Sequence, residues 1–211
     1  MVDFAKQRIR STIEAKLLDA SAGQTHARFG DRKAAAIGAM SGTVVELGPG
    51  TGANMRYYAP GTRVIAIEPN PAMHAGLRQR ADEHGVDLEI RTLRGEAIDV
   101  DDGTTNGVVG TLLLCGVDDP GRVIAEAHRV LVDGGTYFFI EHVRAPEGTR
   151  TRRIQRLVKR PHRWMLNGCE VDRQTENLLR SGPFSRVEVD TIDLGRKGLW
   201  VRQQIVGTAF K

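Results

Sequence analysis

Apolar residues in this chain fall into short β-branched runs separated by stretches with helical spacing. Thr43–Leu47 (TVVEL) is such a run and ends in GPGTG; Arg63–Ile67 (RVIAI) is a second and ends at Glu68-Pro69-Asn70. Leu88–Thr92, Gly107–Cys115 (GVVGTLLLC) and Thr136–Glu141 (TYFFIE) complete five strand candidates. Between them, Asn54–Tyr58 starts helically and Pro71–Glu83 reads as helix. Pro120–Leu131 carries Val123, Ile124, Ala127, Val130 and Leu131 on one helical face and is stopped by Gly134-Gly135. Near-continuous apolar strands alternating with helices predict a parallel sheet covered on both faces, hence a doubly wound α/β fold in three layers, α/β/α. Arg186–Ile192 and Trp200–Phe210 alternate more strictly and are joined by a glycine-bearing loop, which predicts an antiparallel pair at the sheet edge. Ahead of the first strand, Phe4, Ile9, Ile13, Leu17 and Leu18 predict one helix, SAGQTHARFG a loop, and Lys33–Met40 a second short helix.

Composition narrows the class. With 40% apolar and 27% charged residues among 211, the chain is neither disordered nor fibrous. The apolar runs are too short to span a bilayer, and the charged N-terminus is unlike a secretory signal, so a soluble cytoplasmic protein is expected. Cys115 and Cys169 are too few for a disulfide framework and too far apart in sequence for a zinc cluster, so no metal is expected. Asp118-Asp119-Pro120 reads as a helix N-cap followed by proline rather than as a metal site.

The net charge of +4 is unevenly placed. Seven Arg or Lys residues lie between Arg150 and Arg163 with no acid among them, which leaves −3 for the rest of the chain. Ile154, Leu157 and Val158 form a narrow apolar stripe on this basic helix. The stripe either packs on the domain or lets residues 150–163 touch an anionic membrane surface. Nucleic acid is not expected, because the segment lacks interleaved aromatics and its surroundings are not basic.

Candidate chemistry sits where the first strands end. Glu46-Leu47-Gly48-Pro49-Gly50-Thr51-Gly52 follows a buried strand and opens a helix, and Glu68 ends the next strand, placed to accept both hydroxyl protons of a ribose. Gly48-x-Gly50-x-x-Ala53 also satisfies a dinucleotide fingerprint. Glu46, however, puts a negative charge where a pyrophosphate would sit and suits a cationic amino-acid tail better, favouring S-adenosylmethionine over NAD.

VVELGPGTGANMRYY, IAIEPNP, RGEA, TLLLCGVDDP and EAHRVLVDGGTYFFIEHV resemble, in order, the cofactor motifs of class I S-adenosylmethionine-dependent methyltransferases. RIQRLVKRPHRWMLNGCEVDRQT and the closing IVGTAFK resemble the small methyltransferase-like branch whose animal members are thiol S-methyltransferases. The resemblance covers residues 43–211 and implies a Rossmann-like single domain. Its parts would be a helical cap (1–42), a cofactor-binding core (43–143), a basic substrate-side segment (144–183) and a C-terminal strand pair (184–211).

Carried over position by position, the resemblance gives S-adenosyl-L-methionine as cofactor. Glu46, Gly48, Gly50, Gly52 and Asn54 would hold its methionine end, and Glu68 its ribose. Pro69, Asn70 and Met73 would sit beside the adenine, with Gly95, Glu96 and Ala97 along its edge. Thr111, Leu112, Leu114, Cys115 and Val117 would line the cavity by the sulfonium. Asn106 and Val132-Asp133 depart from the family pattern at positions away from the cofactor. The animal members' N-terminal membrane anchor has no counterpart in the charged first helix.

His142 is the candidate general base, with a second-layer role as its rival. Glu141, Trp164, Asn167, Cys169 and Arg173 are placed on the substrate side, with Trp164 equally a core residue and Cys169 a small buried residue in a tight turn. His26 and Arg28 are placed in a loop that could close as a lid. The expected activity is methyl transfer to a small molecule, a thiol first. O- or C-methylation of a lipid, quinone or phenol is the alternative, and a nucleotide-binding regulatory module without turnover the reading from another class. Cys115-Gly116-Val117-Asp118 replaces the Asn/Asp-Pro-Pro-aromatic motif of amine methylation after strand four.

Overall fold

A computed structural model of the chain describes residues 23, 25–165 and 168–211. The expected helix over Phe4–Leu18 and the candidate Asn167 lie outside them. Seven strands form one sheet: β1 (Thr43–Leu47), β2 (Arg63–Ile67), β3 (Asp87–Arg91), β4 (Thr105–Thr111), β5 (Leu131–His142), β6 (Arg186–Asp193) and β7 (Gln203–Phe210). Their order is β3-β2-β1-β4-β5-β7-β6. The first five are parallel, and β7 runs antiparallel between β5 and β6. The expected doubly wound sheet with its antiparallel pair is therefore present. The order reverses between β1 and β4, so the ligand crevice of such a sheet opens at the carboxyl ends of these two strands.

Helices cover both faces: α1 (residues 25–37), α2 (His74–His84), α3 (Pro120–Val130), α4 (Arg150–Met165) and α5 (Thr175–Arg180). Alternation along each strand feeds two cores. Val45, Leu47, Ile65, Ile67, Tyr137 and Phe139 pack with Val123, Ile124 and Ala127 of α3 and Leu179 of α5. Val44, Val64, Ala66, Phe138 and Ile140 pack with Phe29 and Ile37 of α1 and with Leu77 and Ala81 of α2. Successive residues of a strand point to opposite faces, and both faces of the central strands are covered.

Several expectations are corrected. Residues 25–30, read as loop, begin α1, because Phe29, Lys33 and Ile37 share one buried helical face. His26 and Arg28 consequently sit on an ordered helix rather than a lid loop, with His26 Nδ1 2.6 Å from the Tyr57 hydroxyl. β5 begins at Leu131, directly after α3, and runs through Gly134-Gly135 with a register shift opposite Thr105–Gly107. β4 stops at Thr111 rather than Cys115 because Leu112 takes a positive φ of 57°. β7 starts at Gln203, after a 3₁₀ segment over Gly195–Val201. Asp119 caps α3 by accepting from the Arg122 amide at 3.0 Å, as the sequence indicated.

The largest departure is α4, which is turned polar side in. Arg152, Gln155 and His162 are buried, whereas Leu157 is 79% and Trp164 72% exposed. Trp164 is thus neither core nor pocket wall. The inward polar side chains win because each is satisfied and ties α4 to the chain on either side. Gln155 accepts from the Ala145 amide and reaches the carbonyls of Val143, Val171 and Trp200. Arg152 pairs with Asp172 and Glu147, each at 3.0 Å.

Gly207 occupies the middle of β7, where an added Cβ would clash with the Glu188 carbonyl and lie 2.7 Å from Phe139. Gly207→Ala is expected to destabilise the chain by about 3 kcal/mol. Urea denaturation checks this, and an unchanged midpoint would contradict the tight β5–β7–β6 packing.

Candidate active site

The crevice between β1 and β4 collects loops from four strands. After β1, Gly48, Gly50 and Gly52 all have positive φ, and a Cβ on Gly48 would lie 2.9 Å from Leu113 of the loop after β4. This close approach of two loops requires glycine. After β2, Glu68 is buried and braces the glycine loop: its Oε2 accepts from the Gly50 amide at 3.0 Å and its Oε1 from the Asn70 amide at 2.8 Å. Asn70 accepts from the Ala72 amide, but its Nδ2 is buried without a partner. An orphaned amide donor beside the acid expected at a ribose is what an absent nucleoside would satisfy, so these residues fit the adenosyl group. Pro69 and Met73 lie on either side of Asn70 in the chain, with Met73 buried.

Glu46 lies one layer deeper than expected. It is 1% exposed, accepting from Asn54 Nδ2 and the Tyr58 hydroxyl, each at 2.8 Å. Asn54 in turn accepts from Lys33 of α1 at 2.7 Å and reaches Thr111 Oγ1. Burial raises the Glu46 carboxyl above its usual range against the pull of Asn54, Tyr58 and Lys33. Burial also lowers Lys33 to about 8, opposed by the Glu46 charge. Glu46 and Asn54 thus form a strut behind the glycine loop, with Lys33 as its unforeseen third member. The sequence signal for Lys33 was a lysine on the Phe29–Ile37 face.

The edge residues also differ in role. Glu96 accepts from the Asp118 amide at 3.1 Å and holds the approach to α3 instead of offering its acid to an adenine. Gly95 packs against Val123, and Ala97 bonds back to the Arg94 carbonyl.

The turn after β4 is the most constrained part of the site. Glu141, at the end of β5 and wholly buried, accepts from the amides of Leu113 (2.9 Å), Leu114 (2.7 Å) and Cys115 (3.2 Å). It is therefore the anchor of this turn and not a substrate-side group. Burial pushes its carboxyl up to about 7, and the three amides and His142 hold it from rising further. Leu114 is fully buried in the core and is no cavity wall, whereas Thr111, Leu112 and Val117 keep surface. From outside, the Glu170 amide donates to the Cys115 carbonyl at 2.7 Å, and Arg173 donates to the carbonyls of Leu114 and Val117. Arg173, expected on the substrate side, is a clamp for the turn.

These clamps bring together residues far apart in sequence. Cys115 and Cys169 place their sulfurs 3.6 Å apart, and both ring nitrogens of His142 face sulfur: Nε2 lies 4.0 Å from Cys115 and Nδ1 3.8 Å from Cys169. All three side chains are buried. The pair shares its charge unequally. The hydrogen bond from Cys115 holds the Cys169 thiol far below the usual range despite burial, helped by His142 and His162, while the same contact, burial and Glu141 push Cys115 up. Burial lowers His142, but the Cys169 sulfur and Glu141 outweigh it and the net shift is upward. His142 is therefore enclosed between the chain's own sulfurs rather than open as a base.

Comparison with known proteins agrees with this layout. A family described as "Methyltransferase domain" matches residues 45–139. Thiol S-methyltransferase TMT1B of Rattus norvegicus is 35% identical over 172 residues, 80% of this chain and 70% of the relative. The chain belongs to the class I S-adenosylmethionine-dependent methyltransferases. It is an enzyme that uses S-adenosylmethionine and methylates a small molecule. A phosphatidylethanolamine N-methyltransferase of Cereibacter sphaeroides is 31% identical over 141 residues, 66% of this chain and 70% of the relative. A SAM-dependent methyltransferase of Thermotoga maritima shares the fold, with a TM-score of 0.62 at 19% identity over 99% of this chain and 96% of that one.

Removing the Glu141 carboxylate orphans three buried amides at once. Glu141→Ala is expected to cost about 3 kcal/mol and to weaken S-adenosylhomocysteine binding about tenfold or more. Chemical denaturation and calorimetry measure the two, and an unchanged affinity would contradict the anchoring role.

Proposed function

We propose that this methyltransferase acts on a thiol. The observation that carries the reading is the commitment of His142 to Cys115 and Cys169, which leaves the candidate base occupied at the turn where methyl transfer takes place. A thiol with a pKa near ~8.5 supplies its own thiolate at neutral pH, whereas a phenol near ~10 depends far more on a base. The cofactor supplies a methyl group on a sulfonium that is already an activated donor. The chain supplies alignment and exclusion of water. The glycine loop and Glu68 fix the cofactor, and the clamped turn sets the place of the acceptor. The relatives named thiol S-methyltransferases support the same acceptor class.

With S-adenosylmethionine, a thiol of cysteine-like pKa is expected to turn over about a hundredfold faster than a phenol of similar size. Product analysis across pH 6–9 tests this, and faster methylation of the phenol would overturn the reading.

A second reading rests on the orientation of α4, which adds an anionic membrane surface as partner. Leu157, Trp164 and Leu199 are exposed, and Arg153, Arg156, Arg160 and Arg163 stand exposed around the outward face of the helix. Apolar side chains set among arginines match the headgroup boundary of an anionic bilayer, and a hydrophobic acceptor would be met there. Among the described residues no helix is long and apolar enough to cross a membrane, and the proposed contact is made by the outward face of α4. Sedimentation with phosphatidylglycerol vesicles is expected to bring down the wild-type protein, with Leu157→Asp and Arg153→Glu/Arg160→Glu each reducing the bound fraction several-fold. Equal binding to neutral vesicles, or no loss in the variants, would contradict it.

A further inference from the structure

The Cys115–His142–Cys169 cluster does more than fill space. Each residue offers one ligand atom, and the three atoms lie within 4.8 Å of one another. Tetrahedral zinc with Zn–S near ~2.3 Å and Zn–N near ~2.0 Å separates two sulfurs by ~3.8 Å and a sulfur from a nitrogen by ~3.6 Å. The sulfurs lie 3.6 Å apart; either His142 nitrogen is near one sulfur (Nε2 4.0 Å from Cys115, Nδ1 3.8 Å from Cys169), and with one nitrogen as ligand all three atoms fall within 4.8 Å, so the imidazole draws in by less than about 1.5 Å on binding. Two sulfur donors and an imidazole are the ligand chemistry of a thiophilic, borderline-soft cation.

Three anchors hold this set independently of the cysteine and histidine side chains. Glu141 fixes the Cys115 backbone, the Glu170 amide binds the Cys115 carbonyl beside Cys169, and β5 carries His142 in register with Gln204 of β7. Placing these polar groups without water around them is costly unless a cation or proton balances them. A divalent ion on two thiolates and a neutral imidazole leaves no net charge.

His162 explains why the set stops at three. Its Nδ1 accepts from the Trp200 indole N–H at 3.0 Å, and an indole nitrogen only donates. Nδ1 therefore carries no hydrogen, and Nε2 is buried without a hydrogen-bond partner. Nε2 bears the ring's hydrogen and cannot ligate, so His162 stands outside the three-ligand set. Three protein ligands with the fourth position open is the arrangement of catalytic zinc sites.

We propose that Cys115, Cys169 and His142 bind one thiophilic divalent cation, zinc by this chemistry, whose fourth position takes the sulfur of the acceptor. The identity of that fourth ligand rests on the thiol reading; the metal site itself does not. On coordination the acceptor thiol loses its proton to water and stays bound as thiolate. A sulfur lone pair then forms the new S–CH₃ bond as the methyl–sulfonium bond of the cofactor breaks. The bonding pair remains on S-adenosylhomocysteine, which leaves neutral, and the thioether product, a poorer ligand than a thiolate, is released to water.

The test uses the full chain kept reduced. After incubation with zinc and exhaustive dialysis, elemental analysis is expected to find about one equivalent per chain in wild type and His162→Ala, falling about tenfold or more in Cys169→Ser and His142→Ala. Because those variants could unfold, cobalt is added to the wild-type protein as a second readout. Strong visible d–d bands of tetrahedral cobalt and sulfur-to-cobalt absorption in the near ultraviolet are expected, and adding an alkanethiol should shift them. Substoichiometric zinc in wild type, or octahedral cobalt, would overturn the site even if thiols are methylated. Bound metal whose spectrum ignores thiols would overturn the fourth-ligand assignment. Full metal loading without methylation of any thiol would remove the acceptor reading while leaving the three-ligand site standing.

Discussion

One buried carboxylate holds the catalytic end of this protein in shape. Glu141 accepts three consecutive amides of the turn after β4, which no helix or strand satisfies. With those amides paired, Leu112 can occupy its unusual positive φ, Leu113 can reach Gly48, and Cys115 can turn inward toward His142. The segment that carries Cys169 then docks on the outside of the same turn through the Glu170 amide and Arg173. An unpaired buried amide costs on the order of 1–3 kcal/mol, so losing this carboxylate costs about as much as emptying a large core side chain.

The fold was legible because its signals are local. Continuous apolar strands, Asp119-Pro120 at a helix start and glycines after β1 each act within a few residues, and each element came close to its place. What was not legible depends on partners distant in sequence. The stripe of Ile154, Leu157 and Val158 left open which face of α4 turns inward; Gln155 and Arg152 find partners on residues 143–147, 171–172 and 200, and those bonds decide it, leaving Leu157 exposed. Lys33 was missed and Glu141 given a substrate-side role for the same reason, since satisfaction of a buried charge shows only in three dimensions. The two cysteines, 54 positions apart, could not be paired by spacing, and β4 and the 168–173 segment bring them into contact.

The electrostatics of the cofactor loop also change in kind. An acid at the mouth of the loop favours a cationic amino-acid tail over a pyrophosphate. The structure places that acid behind the loop, tied to Asn54 and Tyr58 with Lys33 nearby. Around the loop the structure offers a glycine bend, the buried acid Glu68 and the unpartnered amide of Asn70 rather than an exposed carboxylate for a direct ion pair. A fixed cofactor frame combined with a variable acceptor side is how one fold serves many acceptors.

A crystal structure with S-adenosylhomocysteine and an unreactive thiol analogue measures this arrangement most directly. The account places the ribose on Glu68 and Asn70, the cofactor sulfur over the turn from Leu112 to Cys115, and the analogue's sulfur beside Cys115 and Cys169. A cofactor sulfur directed away from that turn, with the analogue bound elsewhere, would contradict it.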